Sequence, residues 1–302
     1  MNPLTKKVTL GIDLGGTNLR LGIVDESGSV IEFHSEPINP FLCGDDLVAL
    51  IASRAREMNL FPETRGMGLA ISASVLKDGK LQPGTTNIPG LGGFTLCESL
   101  SQQLGNPCLV DNDANLALLG EAHFGAARSM SDVLLLTLGT GVGGGLLLGG
   151  ILRRGAHSSG CEMGLMVVPG LQGAGYVTLE SLAAPGAIMR RLGEPRGMLF
   201  EYAEAEGDDE AISLIEQMYE YLGMTIANVH ILLDLELVLL AGGLAGSGQM
   251  LCDAVQRSFE RICPKNLQFG LRIELANLPP NAGGVIGAAC LWFENEGHLP
   301  RI

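Results

Sequence analysis

Apolar positions along the chain follow two periods, and their alternation lays out the elements. VTLGIDLGGTNLRLGIV, Val8 to Val24, is a nearly continuous apolar run interrupted by Gly15, Gly16, Thr17 and Asn18, which predicts two buried strands joined by a glycine turn. Asp45 and Asp46 are placed to cap a helix carrying Leu47, Leu50, Ile51 and Met58 on one face. RGMGLAISASV, Arg65 to Val75, reads as a buried strand. Thr95 and Glu98 have capping-box spacing and open a helix that aligns Leu96, Leu100 and Leu104. PCLVDND, Pro107 to Asp113, is a short apolar strand ending in acids. Ala114 then opens a helix through Leu116 and Leu119, with one of the acids expected as its cap.

A second strand, turn and strand follows in VLLLTLGTGVGGGLLLG, Val133 to Gly149. A long helix from about Asp208 to Leu233 aligns Ile212, Ile215, Tyr219, Leu222, Ile226 and Val229. ELVLLAGGL reads as a strand running into a glycine turn, and two more helices are expected near 250–262 and 282–294. Helices alternating with apolar strands make the chain α/β.

Sliding the first strand pair over the second sets Leu14-Gly15 on Leu138-Gly139 and Asp13 on Thr137. A supersecondary unit repeated once per half predicts two related lobes facing a central cleft. No Pro- or Ser-rich linker separates them. The expected division is a smaller N-terminal lobe, 1–117, and a larger C-terminal lobe, 118–302, with the final helix near 290–302 packing back on the first.

The stretch from Val133 to Leu152 is uncharged for about the length of a membrane-spanning helix. Seven glycines within it speak against a helix and for strands joined by turns. The chain's 302 residues suit two packed lobes. A formal charge of −14 argues against nucleic acid and anionic membranes as partners. Seven cysteines without a C-x-x-C pair suit reduced thiols in a cytoplasmic protein, and the first apolar stretch ends at Asp13, too soon for a secretory leader.

Asp13 at the end of a buried strand is costly unless paired or solvated, and a cleft with a metal or water would explain it. The glycines that follow let backbone amides approach a phosphate, with Thr17 and Asn18 adding neutral donors. Gly139-Thr140-Gly141-Val142-Gly143 repeats that chemistry without the acid. Neither turn is a P-loop, and a Rossmann fingerprint would be followed by a helix. Asp111, Asn112 and Asp113 set two carboxylates beside an amide, a set able to hold an alcohol and take its proton in phosphoryl transfer.

With these motifs in order, joined by NIPG at Asn87, GCEMG, LAGGLAGSG and GGVIGAA, nearly the whole chain resembles the ROK family (repressors, open reading frames, kinases). The resemblance implies the two-lobed actin-like ATPase fold of hexokinases and an ATP-dependent sugar kinase using Mg2+. Glucose is the expected acceptor, and N-acetylmannosamine, fructose and allose are alternatives. It implies Asp113 as catalytic base and Asn87, Asn112, Glu162 and Glu180 as sugar ligands. Asp13, Gly15, Gly16, Thr17, Asn18, Thr140, Gly141, Gly242 and Gly243 would hold the nucleotide, and a homodimer is implied as well.

The chain departs from the family pattern at three places. Leu165 stands where most members have His, and Leu171 to Thr178 carries none of the family's cysteine cluster, so no structural zinc is expected. Ala73 stands where the pattern has Gly. These departures favour as a rival a catalytically silent sugar binder or sensor. Only seven residues precede Val8, too few for the helix-turn-helix of the family's repressors.

Overall fold

The computed structural model describes residues 7–39, 42–84, 88, 90–171, 175–193 and 208–302. The chain divides into two compact units, one of Met1–Arg128, Arg154–Gly160 and Asn281–Ile302, the other of Ser129–Arg153 and Cys161–Pro280. The division lies beyond the helix that follows Asn112, and not near Ala117, because that helix packs along the C-terminal helix inside the first unit. The last 22 residues return to the first unit, so it is not the smaller one.

In the first unit, β1 (Val8–Leu14), β2 (Asn18–Asp25), β3 (Val30–Pro37), β4 (Met67–Ile71) and β5 (Cys108–Asn112) form one sheet in the order β3-β2-β1-β4-β5. β1, β2 and β3 are antiparallel neighbours, whereas β4 and β5 run parallel to β1. All five residues of β4 are buried, as expected for a central parallel strand covered on both faces.

Helices α1 (Gly44–Glu57), α2 (Leu96–Leu104) and α3 (Asp113–Phe124) join this sheet, together with the chain's last helix, α8 (Gly283–Asn295). A side chain at Gly68 would overlap the backbone of Ala288, and one at Gly287 would overlap the carbonyl of Leu116. These two glycines let α8 lie backbone against backbone on β4 and α3. Trp292 and Phe293 of α8 are buried with Val24 in a small core of their own.

Three caps differ from the sequence expectation. The N-cap of α1 is Cys43, whose amide donates to Asp46 Oδ2 at 3.4 Å, while Asp45 and Asp46 lie within the first turn. Thr95 occupies the N-cap of α2 but accepts no side-chain bond, because its backbone leaves the extended region (φ −99°, ψ 68°). The cap of α3 is Asn112 rather than an acid. Its side-chain oxygen accepts from the amides of Ala114 and Asn115 at 2.9 and 3.2 Å.

The second unit repeats the plan. β6 (Val133–Leu138), β7 (Val142–Leu148), β8 (Ile151–Leu152), β11 (Leu237–Ala241) and β12 (Arg272–Leu275) form a sheet in the order β12-β11-β6-β7-β8. An antiparallel meander is again extended by two strands parallel to its first member. The uncharged stretch is this meander, and among the described residues no helix is long and apolar enough to cross a membrane.

A hairpin of β9 (Val167–Pro169) and β10 (Tyr176–Thr178) leads into α4 (Leu179–Ala183) and α5 (Pro185–Leu192). α6 (Asp209–Leu233) and α7 (Gln249–Ile262) complete the unit. Leu134, Leu136, Leu222, Ile226, Leu240 and Phe259 belong to its core. The buried stripe of α6 runs through Leu214, Ile215, Met218 and Leu222, while Ile212 stays exposed at its N-terminal end.

Candidate active site

In the first unit the chemistry gathers at the carboxyl ends of parallel strands, where α/β sheets hold their ligands. β1 ends in Asp13 and Leu14, after which Gly15 turns the chain and its amide donates to the carbonyl of Asn18 at 3.0 Å. Asn18 Nδ2 donates to Thr17 Oγ1 at 3.0 Å, so the two neutral groups hold one another. Gly16 completes this turn.

Hairpin register sets Asp13 opposite Arg20, whose guanidinium donates to Asp13 Oδ2 at 3.0 Å. Burial still raises the Asp13 pKa, against the opposing pull of Arg20. The cation that relieves the buried acid thus comes from the chain itself. Gly284, in the first turn of α8, stands against the same carboxylate, and any side chain there would press on it.

β5 delivers Asp111, Asn112 and Asp113 in succession, and each does something different. Asp111 is buried and meets Arg154 Nε at 2.5 Å. Its other oxygen accepts from the Asn112 amide at 2.7 Å and from Asn115 Nδ2 at 3.1 Å. Asn112 caps α3 and donates through Nδ2 to the carbonyl of Ala73 at 3.3 Å. Asp113 begins the helix, with Oδ1 accepting from the Ala114 amide at 2.9 Å. Burial and then the nearby Asp13 charge push Asp113 up to about 7, against hydrogen bonds from Ala114 and Ser72.

In the second unit the turn between β6 and β7 is closed by Gly139, whose amide donates to the carbonyl of Gly141 at 3.0 Å. Thr140 is exposed at its tip. Glu180, in the first turn of α4, accepts from the Val142 amide at 3.0 Å and lies over Gly141, where an added side chain would displace its carboxylate. Glu180, expected from sequence to bind sugar, is seen here bracing a glycine turn. Gly242 follows β11 at φ +87°, packed against the backbone of Leu138 at the end of β6, and with Gly243 it starts a 3-10 turn. Glu162 is exposed just before the 3-10 turn Met163–Leu165. Asn87 lies outside the described residues.

The family model for ROK proteins matches residues 9–295. The chain belongs to the ROK family. A glucokinase of Halalkalibacterium halodurans is 28% identical to this ROK protein, the match covering 97% of each chain. A beta-glucoside kinase of Listeria monocytogenes is 30% identical over 95% of the chain and 97% of its own length. A ROK glucokinase of Streptomyces griseus, solved with glucose and AMPPNP, superposes with a TM-score of 0.79 at 26% identity, covering 94% of this chain and 98% of its own. The fold is the actin-like ATPase fold of ROK sugar kinases, built here from two α/β units of common plan.

Sequence reading missed three residues at this ROK site. Arg20 was legible, because a hairpin turning at Gly15–Thr17 sets 13 opposite 20. Ser72 follows β4 and donates to Asp113; nothing in its spacing marks it. Arg154 is ion-paired to Asp111 across 43 positions, a pairing that no local spacing marks. His157, three residues further on, is exposed. Among the described residues no three His, Cys, Asp or Glu side chains gather to hold a metal.

Proposed function

We propose that this ROK protein is an ATP-dependent hexose kinase, with glucose as the leading acceptor. The observation that carries the proposal is Asp113. It is a carboxylate at a strand's carboxyl end, lifted by burial and by Asp13 to about 7, where a general base works best near neutral pH. The named relatives support the reaction class, since they phosphorylate glucose and glucosides by name.

In this reading Asp113 accepts the proton of the sugar hydroxyl as the oxygen attacks the γ-phosphate. Asn112, fixed by the α3 amides and the Ala73 carbonyl, holds the neighbouring hydroxyl. Glu162 and the free side of Glu180 accept from further hydroxyls, and Asn87 is assigned the same role by family resemblance. The Gly15–Asn18 turn takes phosphate oxygens on the first unit. Thr140, Gly141, Gly242 and Gly243 serve the nucleotide on the second. Phosphoryl transfer is largely a matter of position and charge, so short turns with exposed amides are the parts it requires.

Magnesium fits the acid set. It keeps several waters and takes one or two carboxylates plus substrate phosphates, and Asp13, held by Arg20 through Oδ2, would be its carboxylate here. Bound there, it would neutralise the charge developing on the phosphates. Arg20 keeps Asp13 oriented, and Ser72 and Ala114 fix Asp113.

The test is ADP release with Mg2+ and ATP across glucose, N-acetylmannosamine, fructose, allose and a β-glucoside. Turnover with glucose above the rest supports the assignment. Turnover with another member keeps the kinase and moves the acceptor. Sugar binding by calorimetry without ADP release from any member favours the silent sensor.

A further inference from the structure

Away from the residues used above, two cysteines that the sequence scatters are brought together. Cys97 is the second residue of α2 and Cys108 opens β5. Their sulfurs lie 2.6 Å apart, about half an ångström beyond a disulfide bond, although both thiols are free. Ser101 Oγ donates to the Cys97 carbonyl at 2.8 Å, and Cys108 is fixed in register beside Met67 of β4. Neither residue has to leave its element for the sulfurs to meet.

Cys97 is buried and Cys108 half-buried, and the pair borders a cavity. Both cysteines line an open pocket of about 370 Å³ within the first unit, together with Lys77, Asp78, Thr95 and Glu98. The remaining cysteines offer no such arrangement. Cys161 is half-buried beside Glu162, Cys252, Cys263 and Cys290 are buried, and Cys43 is exposed with its thiol on Asp46.

We propose that Cys97 and Cys108 form a thiol-disulfide modification site that exchanges with low-molecular-weight disulfides such as oxidised glutathione. Cys97, as thiolate, attacks one sulfur of the glutathione disulfide. A bond forms between Cys97 and that sulfur, and the first glutathione leaves as thiolate. The Cys108 thiol then gives up its proton and its sulfur attacks Cys97, expelling the second glutathione. Two protein thiols are oxidised and one external disulfide is reduced, and the two protons the cysteines lose end on the two departing glutathione thiolates. Burial and the Cys97 sulfur raise the Cys108 pKa, which fits the resolving rather than the attacking role.

The test is native protein carrying Cys43→Ser, to remove the exposed thiol, treated with oxidised glutathione and mapped by mass spectrometry after alkylation. The expected result is a cross-linked peptide joining Cys97 to Cys108, with two hydrogens lost and no glutathione retained. Adding Cys108→Ser should trap glutathione on Cys97. A cross-link that forms only after unfolding in urea would overturn the proposal. So would stable glutathione on Cys97 in protein that still has Cys108, or no reaction at either position while Cys43 is modified in the unmutated chain.

Discussion

Burial and the Asp13 carboxylate raise the Asp113 pKa from 3.8 to about 7, so ionised Asp113 weakens the fold. The sign follows from linkage. The folded state holds the proton to higher pH than the unfolded state, so stability falls as pH rises from about 4 through about 7. The ionised form costs at most about 4 kcal/mol, and partial exposure reduces that. In urea titrations of ligand-free protein, Asp113→Asn should gain about 2 kcal/mol at pH 8.5 and under about 1 kcal/mol at pH 4. Turnover should rise with pH through about 7, as the base loses its proton. Arg20→Met acts in the opposite direction. It leaves a largely buried carboxylate without its cation and should cost about 2–3 kcal/mol at pH 8, shrinking in acid as Asp13 takes a proton.

Helix α8 and the strand ends set the site at the scale of elements. Gly68 admits α8 onto β4 and Gly287 admits α8 onto α3, and a methyl at either would meet a carbonyl rather than a movable side chain. Gly287→Ala should therefore cost about 2–4 kcal/mol in denaturant unfolding, although alanine is the better helix former. Arg154 anchors its segment on Asp111, which also holds the Asn112 amide. Arg154→Ala should lower turnover about tenfold through misplaced Asn112 and Asp113, with a change in melting temperature of only a few degrees. Strands and helices at this scale were largely legible, since apolar period and glycine turns are local signals. Caps were less so. Cys43 capped α1 where aspartates were expected, and Asn112 took the α3 cap because its neighbours' carboxylates are engaged by Arg154 and by the first helical amide. The partners Arg154 and Asp111, and the sulfurs of Cys97 and Cys108, meet only through the fold, which no spacing records.

For the whole molecule, the short similarity between VTLGIDLGGTNLRLGIV and VLLLTLGTGVGGGLLLG corresponds to two sheets of one strand order. The repeat therefore marks a whole five-stranded plan, although its visible identity is confined to a few glycines and leucines. Asp13 and Thr137 occupy equivalent places in the two copies. The acid is paired with Arg20, whereas Thr137 Oγ1 accepts from the Gly143 amide at 3.1 Å. One half thus holds a paired charge at this position and the other a neutral hydrogen bond. The most direct measurement of the account is ADP release from Mg2+, ATP and the best acceptor by Asp113→Asn protein, with nucleotide and sugar binding followed by calorimetry. Both ligands should bind within a few-fold of the unmutated affinities, and turnover should fall by at least about a thousandfold. Turnover within about tenfold of the unmutated protein would contradict it.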